Sequence, residues 1–170
     1  MIGREKIGHT ETVFMEIGPT GISAIDQRFD EVFSRLRKEI GPENVVTDES
    51  RLKTIATATF HHDVDVVAIL TPHDKEQVVR CVKACAASEL PMYPISKGKN
   101  WGLGSASPVF SGGAVVSLEK LDRVIEYDEE LAFVRIQPGV TFNQLHRFLE
   151  ERGSELILDV TGADGETSVV

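Results

Sequence analysis

The stretch Ser96-Lys97-Gly98-Lys99-Asn100-Trp101-Gly102 gathers a hydroxyl, two ammonium groups, an amide and two glycines in a few residues. Glycine tolerates positive φ and carries no side chain, so successive N–H groups can turn toward one point and approach a ligand closely. A concave run of such groups binds anions. Lys97 and Lys99 add positive charge to a chain whose formal net charge is −9, and Ser96 and Asn100 add side-chain donors. Several donors, close approach and compensating charge are the needs of a diphosphate. A purely structural glycine turn uses the same residue types, so spacing alone leaves both readings open. Trp101 is open in the same way: it could stack on a flat ring or wedge the loop against the core.

Two common phosphate motifs are excluded. A P-loop needs Gly-Lys followed by Ser or Thr, with a glycine five residues earlier; here Gly98-Lys99 is followed by Asn100, and the earlier position is Tyr93. A dinucleotide fingerprint must open a helix. After Gly104 the chain runs Ser105-Ala106-Ser107-Pro108, with no helical apolar period. What remains is a loop between strands that uses no helix terminus.

Such a loop needs rigid elements on both sides. Residues 64–70 and 91–95 are short apolar runs that predict buried strands. Between them Val78, Val79, Val82, Cys85 and Ala86 recur as one helix face. Thr71 is placed to cap that helix, Pro72 to occupy its first position and Asp74 to complete a capping box. The order predicts parallel strands with a right-handed crossover. Upstream, Ile22, Ile25, Phe29, Val32, Phe33, Leu36 and Ile40 mark an amphipathic helix that Gly41-Pro42 ends. Asn44-Val45-Val46 reads as a short strand, and 47–63 carries no decisive pattern. Downstream, 114–118, 123–127 and 132–137 read as strands, with Asp128-Glu129-Glu130 as a solvated turn. Thr141 and Gln144 form a capping box for a helix whose Leu145, Phe148 and Leu149 face inward and whose His146 faces out. Gly153 closes it, and 156–158 reads as a further strand.

Composition narrows the function. Hydrophobic residues are 41% and charged residues 26%, ordinary for a globular chain. The negative net charge argues against nucleic acid as a partner. No apolar run approaches the ~20 residues of a membrane span. The first residues lack the apolar segment of a secretory signal, so no membrane association and a cytoplasmic location are expected. Cys81 and Cys85 read as two reduced, half-buried thiols on one helix face. His61-His62-Asp63 reads as solvated loop, and no metal site is expected because further ligands are lacking nearby.

Residues 94–108 resemble the pyrophosphate loop of the vanillyl-alcohol oxidase and p-cresol methylhydroxylase (PCMH) flavoprotein family. Ser111-Gly112-Gly113-Ala114-Val115-Val116-Ser117-Leu118 resembles the strand that follows it. Leu121-Asp122-Arg123-Val124 is similar to the family's Met-Asn-Arg-Val turn, and Gln137-Pro138-Gly139-Val140-Thr141 to its Glu-Pro-Gly-Val-Thr stretch. Leu158-Asp159-Val160 resembles the segment before its flavin-contacting glycine-rich turn. The resemblance runs over about 22–170. It implies an α+β fold: the N-terminal portion of a PCMH-type FAD-binding domain, a small strand–helix–strand subdomain followed by a mixed sheet. Residues 1–21 are then an N-terminal arm. Residues 22–170 are a partial domain, incomplete at its C-terminus, because the chain stops at Val170 inside an apolar stretch.

The resemblance also implies FAD as cofactor, with Ser96, Lys97, Gly98, Lys99, Asn100 and Gly102 on its pyrophosphate and Gly139 and Val140 nearby. Asp164 is the candidate for a family aspartate that lies near the flavin's reactive nitrogen, the one catalytic candidate in this chain. Some relatives carry a histidine in the region of His61 that assists covalent flavin attachment. Lys99 stands where relatives often have arginine, which keeps the charge and loses the planar fork. Leu103 stands where phenol-oxidising members often have tyrosine, which weakens the case for a phenol. The whole protein is expected to be an FAD-dependent oxidase or dehydrogenase that oxidises a small organic substrate by hydride transfer to FAD. Oxygen or an electron-acceptor protein would reoxidise the flavin, and any homo-oligomer would form through parts outside this chain. The 170-residue chain alone is expected to be inactive. The competing readings are a non-catalytic nucleotide-binding module lacking the substrate domain, and an unrelated anion-binding α/β domain.

Overall fold

The computed structural model describes residues 6–7, 10–11, 22–99, 106–158 and 164–170. In chain order the elements are β1 (Lys6–Ile7), β2 (Thr10–Glu11), α1 (Ile22–Ile40), β3 (Val45–Val46), α2 (Glu49–Ala56), β4 (Val66–Leu70) and α3 (Lys75–Ala87). Then follow β5 (Met92–Ile95), β6 (Gly113–Ser117), β7 (Val124–Asp128), β8 (Phe133–Ile136) and α4 (Phe142–Glu150). A single 3-10 turn, Pro42–Asn44, joins α1 to β3.

The valine-rich runs β4 and β6 are buried along their whole length and form the centre of a four-stranded sheet, in the order β3-β4-β6-β5. Burial on both faces is why these strands read as continuous apolar runs rather than as alternation. One face carries α1 and α3: Phe29, Phe33, Leu36 and Ile40 pack with Val67, Leu70, Ala114, Val116, Cys81 and Cys85. The other face carries α2, where Leu52 meets Val66, Ile69 and Val115. The mixed sheet is parallel except for β3, which pairs antiparallel to β4. Strands β7 and β8 form a separate antiparallel hairpin.

The expected α+β fold is present, with differences of detail. Strands β4 and β5 flank α3 as predicted but do not pair with each other, because β6 is inserted between them and pairs with both. Of the downstream strands expected to form a following mixed sheet, β6 therefore joins the strand–helix–strand unit, while β7 and β8 pair apart from it. Thr71 does not cap α3. Its N–H donates to the Asn44 carbonyl (2.9 Å), which prolongs the sheet edge, and Asp74 is the cap, accepting from Gln77 N–H at 2.7 Å. The undecided stretch holds α2, capped by Asp48. Residues 156–158 are not a strand: the N–H groups of Glu155 and Leu156 go to the side chains of Glu129 and Ser154, and Ile157 is exposed. The capping box of α4 is as predicted, with Thr141 and Gln144 each holding the other's backbone N–H.

The inward face of α3 is rotated from the one expected. Val79 and Val82 are exposed, whereas Cys81, Ala84 and Cys85 are buried. The cysteines are core residues rather than half-buried ones. Burial, and the neighbouring Cys85 sulfur, push the Cys81 thiol up from 9.0 to about 12, and burial pushes Cys85 to about 11. Both thiols are protonated at pH 8, so neither is nucleophilic in the folded protein. A soluble disulfide reagent at pH 8 is expected to label neither cysteine in the native state and both in denaturant; fast native labelling would contradict this packing. Because both folded values are raised, stability present below pH 9 is lost as pH rises from there toward those values.

Candidate cofactor site

The three parallel strands deliver their C-terminal ends to one edge of the sheet, which is where open α/β sheets place ligands. Strand β5 ends at Ile95 and continues into Ser96, Lys97, Gly98 and Lys99. Asn100, Gly102, Trp101 and Leu103 lie outside the described residues, so the description of this loop rests on its two arms.

Gly98 has φ +71°, a conformation L side chains rarely adopt, and a Cβ there would lie 2.8 Å from Ala106 Cβ and 3.3 Å from Ile95 Cδ1. Glycine is therefore required both by the turn and by the returning arm. The backbone is bare at this point, between two lysines. The returning arm is clamped by the segment after α2. Ser107 Oγ donates to the Ala56 carbonyl (2.9 Å), and His62 Nε2 lies 2.8 Å from the Pro108 carbonyl, a contact that requires the Nε2–H form. Gly112 N–H then donates to Asp65 O at 2.8 Å. His62 is thus a structural clamp and not merely solvated loop. His61 is exposed beside Asp63, as expected of that stretch.

The incoming arm is held by residues 164–170. Ser96 Oγ donates to the Val170 carbonyl (2.6 Å) and lies 2.7 Å from Ser168 Oγ. Lys99 Nζ donates to both oxygens of Asp164, each at 3.0 Å. Asp164 is itself fixed, since its Oδ1 also accepts from Glu166 N–H (2.9 Å) and Thr167 Oγ1 (3.1 Å). The Lys99 ammonium, helped by Thr167 and Glu166, holds its carboxyl below the usual carboxylate range against slight desolvation. A depressed value means the pair is intact at neutral pH and is lost only as pH falls through the lowered value.

Residues 164–170 are in turn seated on the start of α4. Phe142 and Asn143 N–H groups, which have no partner inside their own helix, donate to the carbonyls of Thr167 (3.1 Å) and Gly165 (2.9 Å). Val169 N–H donates to Val140 O (2.9 Å), and Thr141 bridges Ser168. Val140 is fully buried. Gly139 N–H donates to Leu121 O (2.7 Å), and a Cβ on Gly139 would lie 2.3 Å from Glu119 O. Gly139 is thus a glycine because two backbones touch there.

The structure accordingly brings together, at the ends of β5 and β6, Ser96, Lys97, Gly98, Lys99, Gly139, Val140 and Asp164. It does not leave them equivalent. Ser96 and Asp164 are engaged with other protein groups, and the N–H groups of Gly139 and Val140 are spent on Leu121 and Gln137. Sequence reasoning missed Ser168, Thr167, Asn143 and His62. His62, Asn143 and Ser168 have partners far away in sequence, and no local pattern marks them or the short Thr167–Asp164 contact. A surface concavity of about 640 Å³ lies beside the clamp, lined among others by Lys53, Ala56, Phe60, His62 and Asp65. Among the described residues none of the predicted diphosphate contacts lines it, whereas His61 does. Among the described residues no group of three or more His, Cys, Asp or Glu could hold a metal ion, and no helix is long and apolar enough to cross a membrane.

Residues 66–170 match the family model described as FAD binding domain. The chain belongs to that family. The 1'-carboxy-chondrochloren decarboxylase of Chondromyces crocatus is 41% identical over 144 residues, 85% of this chain and 27% of the relative. The 4-cresol dehydrogenase [hydroxylating] flavoprotein subunit of Pseudomonas putida is 29% identical over 143 residues, 82% of this chain and 27% of the relative. Among solved structures, 4-ethylphenol oxidase from Gulosibacter chungangensis in its isoeugenol complex superposes with TM-score 0.77 at 28% identity, over 89% of this chain and 29% of that one. The fold is that of PCMH-type FAD-binding domains, in an oxidoreductase family. The chain spans about a quarter of the length of these relatives. The local chemistry fits the cofactor: the left-handed Gly98 turn carries no side chain and stands between two ammonium-bearing lysines, the residue types an anionic diphosphate needs.

Proposed function

We propose that this chain supplies the diphosphate grip of a flavin-dependent oxidoreductase that oxidises a small organic substrate by hydride transfer to FAD. The observation that carries the reading is the Gly98 turn at the C-terminal end of β5, bare of side chain and flanked by Lys97 and Lys99 in a chain of net charge −9. FAD, when bound, supplies the hydride-accepting chemistry, and the protein's part is to bind and orient it. Backbone around Gly98 and the side chains of Lys97, Lys99 and Asn100, with Gly102, hold the diphosphate. Gly139 and Val140 support that loop through residues 168–170. In this reading residues 1–21 are an N-terminal arm and 22–170 are part of a larger FAD domain.

Reoxidation by an electron-acceptor protein is supported by the name of the Pseudomonas relative, a flavoprotein subunit; oxygen is the other acceptor. A carboxylated substrate is supported by the Chondromyces relative, a decarboxylase. Purified protein is expected to be yellow, with flavin absorption bands that survive dialysis and are released by denaturation. Colourless protein that takes up no added FAD would overturn the reading.

A further inference from the structure

We propose that Asp164 is a positioning residue for FAD binding: it holds the Lys99 ammonium in register at the Gly98 turn, so that a diphosphate meets an ordered cation. The inference rests on the reading of Gly98 and its lysines as the diphosphate grip.

Three observations carry it. The first is that the contact is two-pronged, with both Asp164 oxygens 3.0 Å from Lys99 Nζ. Lysine is a compact charge on a four-carbon stem, and its ammonium has no fixed direction unless something supplies one. Two of its three donors are directed to Asp164, which leaves one for a ligand.

The second is that Asp164 is not a wandering surface carboxylate. The Glu166 N–H and the Thr167 hydroxyl fix its Oδ1, and the Thr167 N–H donates to its carbonyl at 3.0 Å. That turn is bolted to the first residues of α4 through Phe142, Asn143 and the Thr141–Ser168 bridge. An anchored anion can direct a mobile cation; an unanchored one would share its disorder.

The third is that the same segment grips the loop at a second point three residues earlier, where Ser96 meets Ser168 and the Val170 carbonyl. Residues 164–170 therefore splint both ends of Ser96–Lys99. Ordering this arm before the ligand arrives removes an entropic cost from binding. Asp164 carries negative charge, so its repulsion of the diphosphate opposes this effect. The two consequences have opposite signs and an experiment separates them.

Dissociation constants for FAD and for ADP, which carries the diphosphate without the flavin, would be measured on the purified protein and on Asp164→Asn, Lys99→Met and the double variant. Asp164→Asn is expected to weaken both ligands about threefold, in line with an exposed ion pair, with an unchanged melting temperature. In the Lys99→Met background the same change should have no further effect, because coupled residues fail to add. Tighter binding by Asp164→Asn would overturn the proposal in favour of competition between the carboxylate and the diphosphate. Equal weakening with and without Lys99 would overturn it as well, since Asp164 would then not act through Lys99. If the unaltered protein binds neither FAD nor ADP, it is the reading of the diphosphate grip that fails.

Discussion

Gly98→Val is expected to lower FAD affinity about a hundredfold or more, and Gly98→Ala about tenfold, each ~1.4 kcal/mol being a factor of ten. Two costs add. A non-glycine residue in left-handed backbone costs ~1–2 kcal/mol, and Gly98 sits at φ +71°. A new Cβ would also stand 2.8 Å from Ala106 Cβ, on an arm that cannot simply retreat. Ser107 is tied to Ala56, Pro108 to His62 and Gly112 to Asp65. The β-branched valine is worse than alanine because its two methyls add bulk to a Cβ that already meets Ala106 and Ile95. Titration with FAD, followed by flavin fluorescence, checks both variants. Far-ultraviolet circular dichroism should remain that of the unaltered protein, since Gly98 lies outside the buried core. Wild-type affinity in Gly98→Val would show that the diphosphate is held elsewhere.

Local chemistry was legible in the sequence wherever a residue's partner is close along the chain. The capping box of Thr141 and Gln144 and the stop at Gly41-Pro42 are signals confined to four residues or fewer, and the structure has both. The period of α1 was readable because Phe29, Val32, Phe33, Leu36 and Ile40 all face one sheet. On α3 the same reasoning erred by about one residue's rotation of the wheel. Valine outranks cysteine on an apolar scale, but the sheet accepts the small Cys81, Ala84 and Cys85, which let the helix approach closely. Helix α2 went undecided because it has only two turns and buries only Leu52 among its residues. Thr71 was misassigned because the cap signal and the sheet edge compete for one residue, and the pairing of Thr71 N–H with Asn44 wins. At the site, the glycine turn and its lysines were visible as residue types. The splint of 164–170 was not, because Lys99 and Asp164 are 65 residues apart and Ser96 and Val170 are 74 apart. Nothing in a local pattern says that two surface segments will meet.

The splint also predicts that damage far from Gly98 reaches it, and Gly139 is the place to look. Gly139→Ala is expected to destabilise the fold by about 3 kcal/mol, the upper end of the ~1–3 kcal/mol usual for overpacking. Its Cβ would lie 2.3 Å from Glu119 O, 2.7 Å from Glu119 C and 2.8 Å from Leu121 O. All three are main-chain atoms, so no side chain can swing aside. The turn must move, and the Gly139 N–H to Leu121 O bond with it. Val140 and Thr141 follow directly in sequence, and they carry the contacts to Val169 and Ser168 that seat the segment holding Ser96 and Lys99. FAD affinity should therefore fall in the fraction that remains folded, although Gly139's own N–H faces protein. Gly153→Ala is the control. It too has positive φ, +63°, but its Cβ would meet nothing within 4 Å, so only the ~1–2 kcal/mol backbone cost applies. It closes α4 at the end remote from Thr141, so FAD affinity should be unchanged there. Urea unfolding and FAD titration of the two variants side by side decide the matter. Equal stability loss in both would mean that the 119–121 turn yields to the new methyl group. Unchanged FAD affinity in folded Gly139→Ala would mean that residues 139–141 and the Gly98 turn are not mechanically linked.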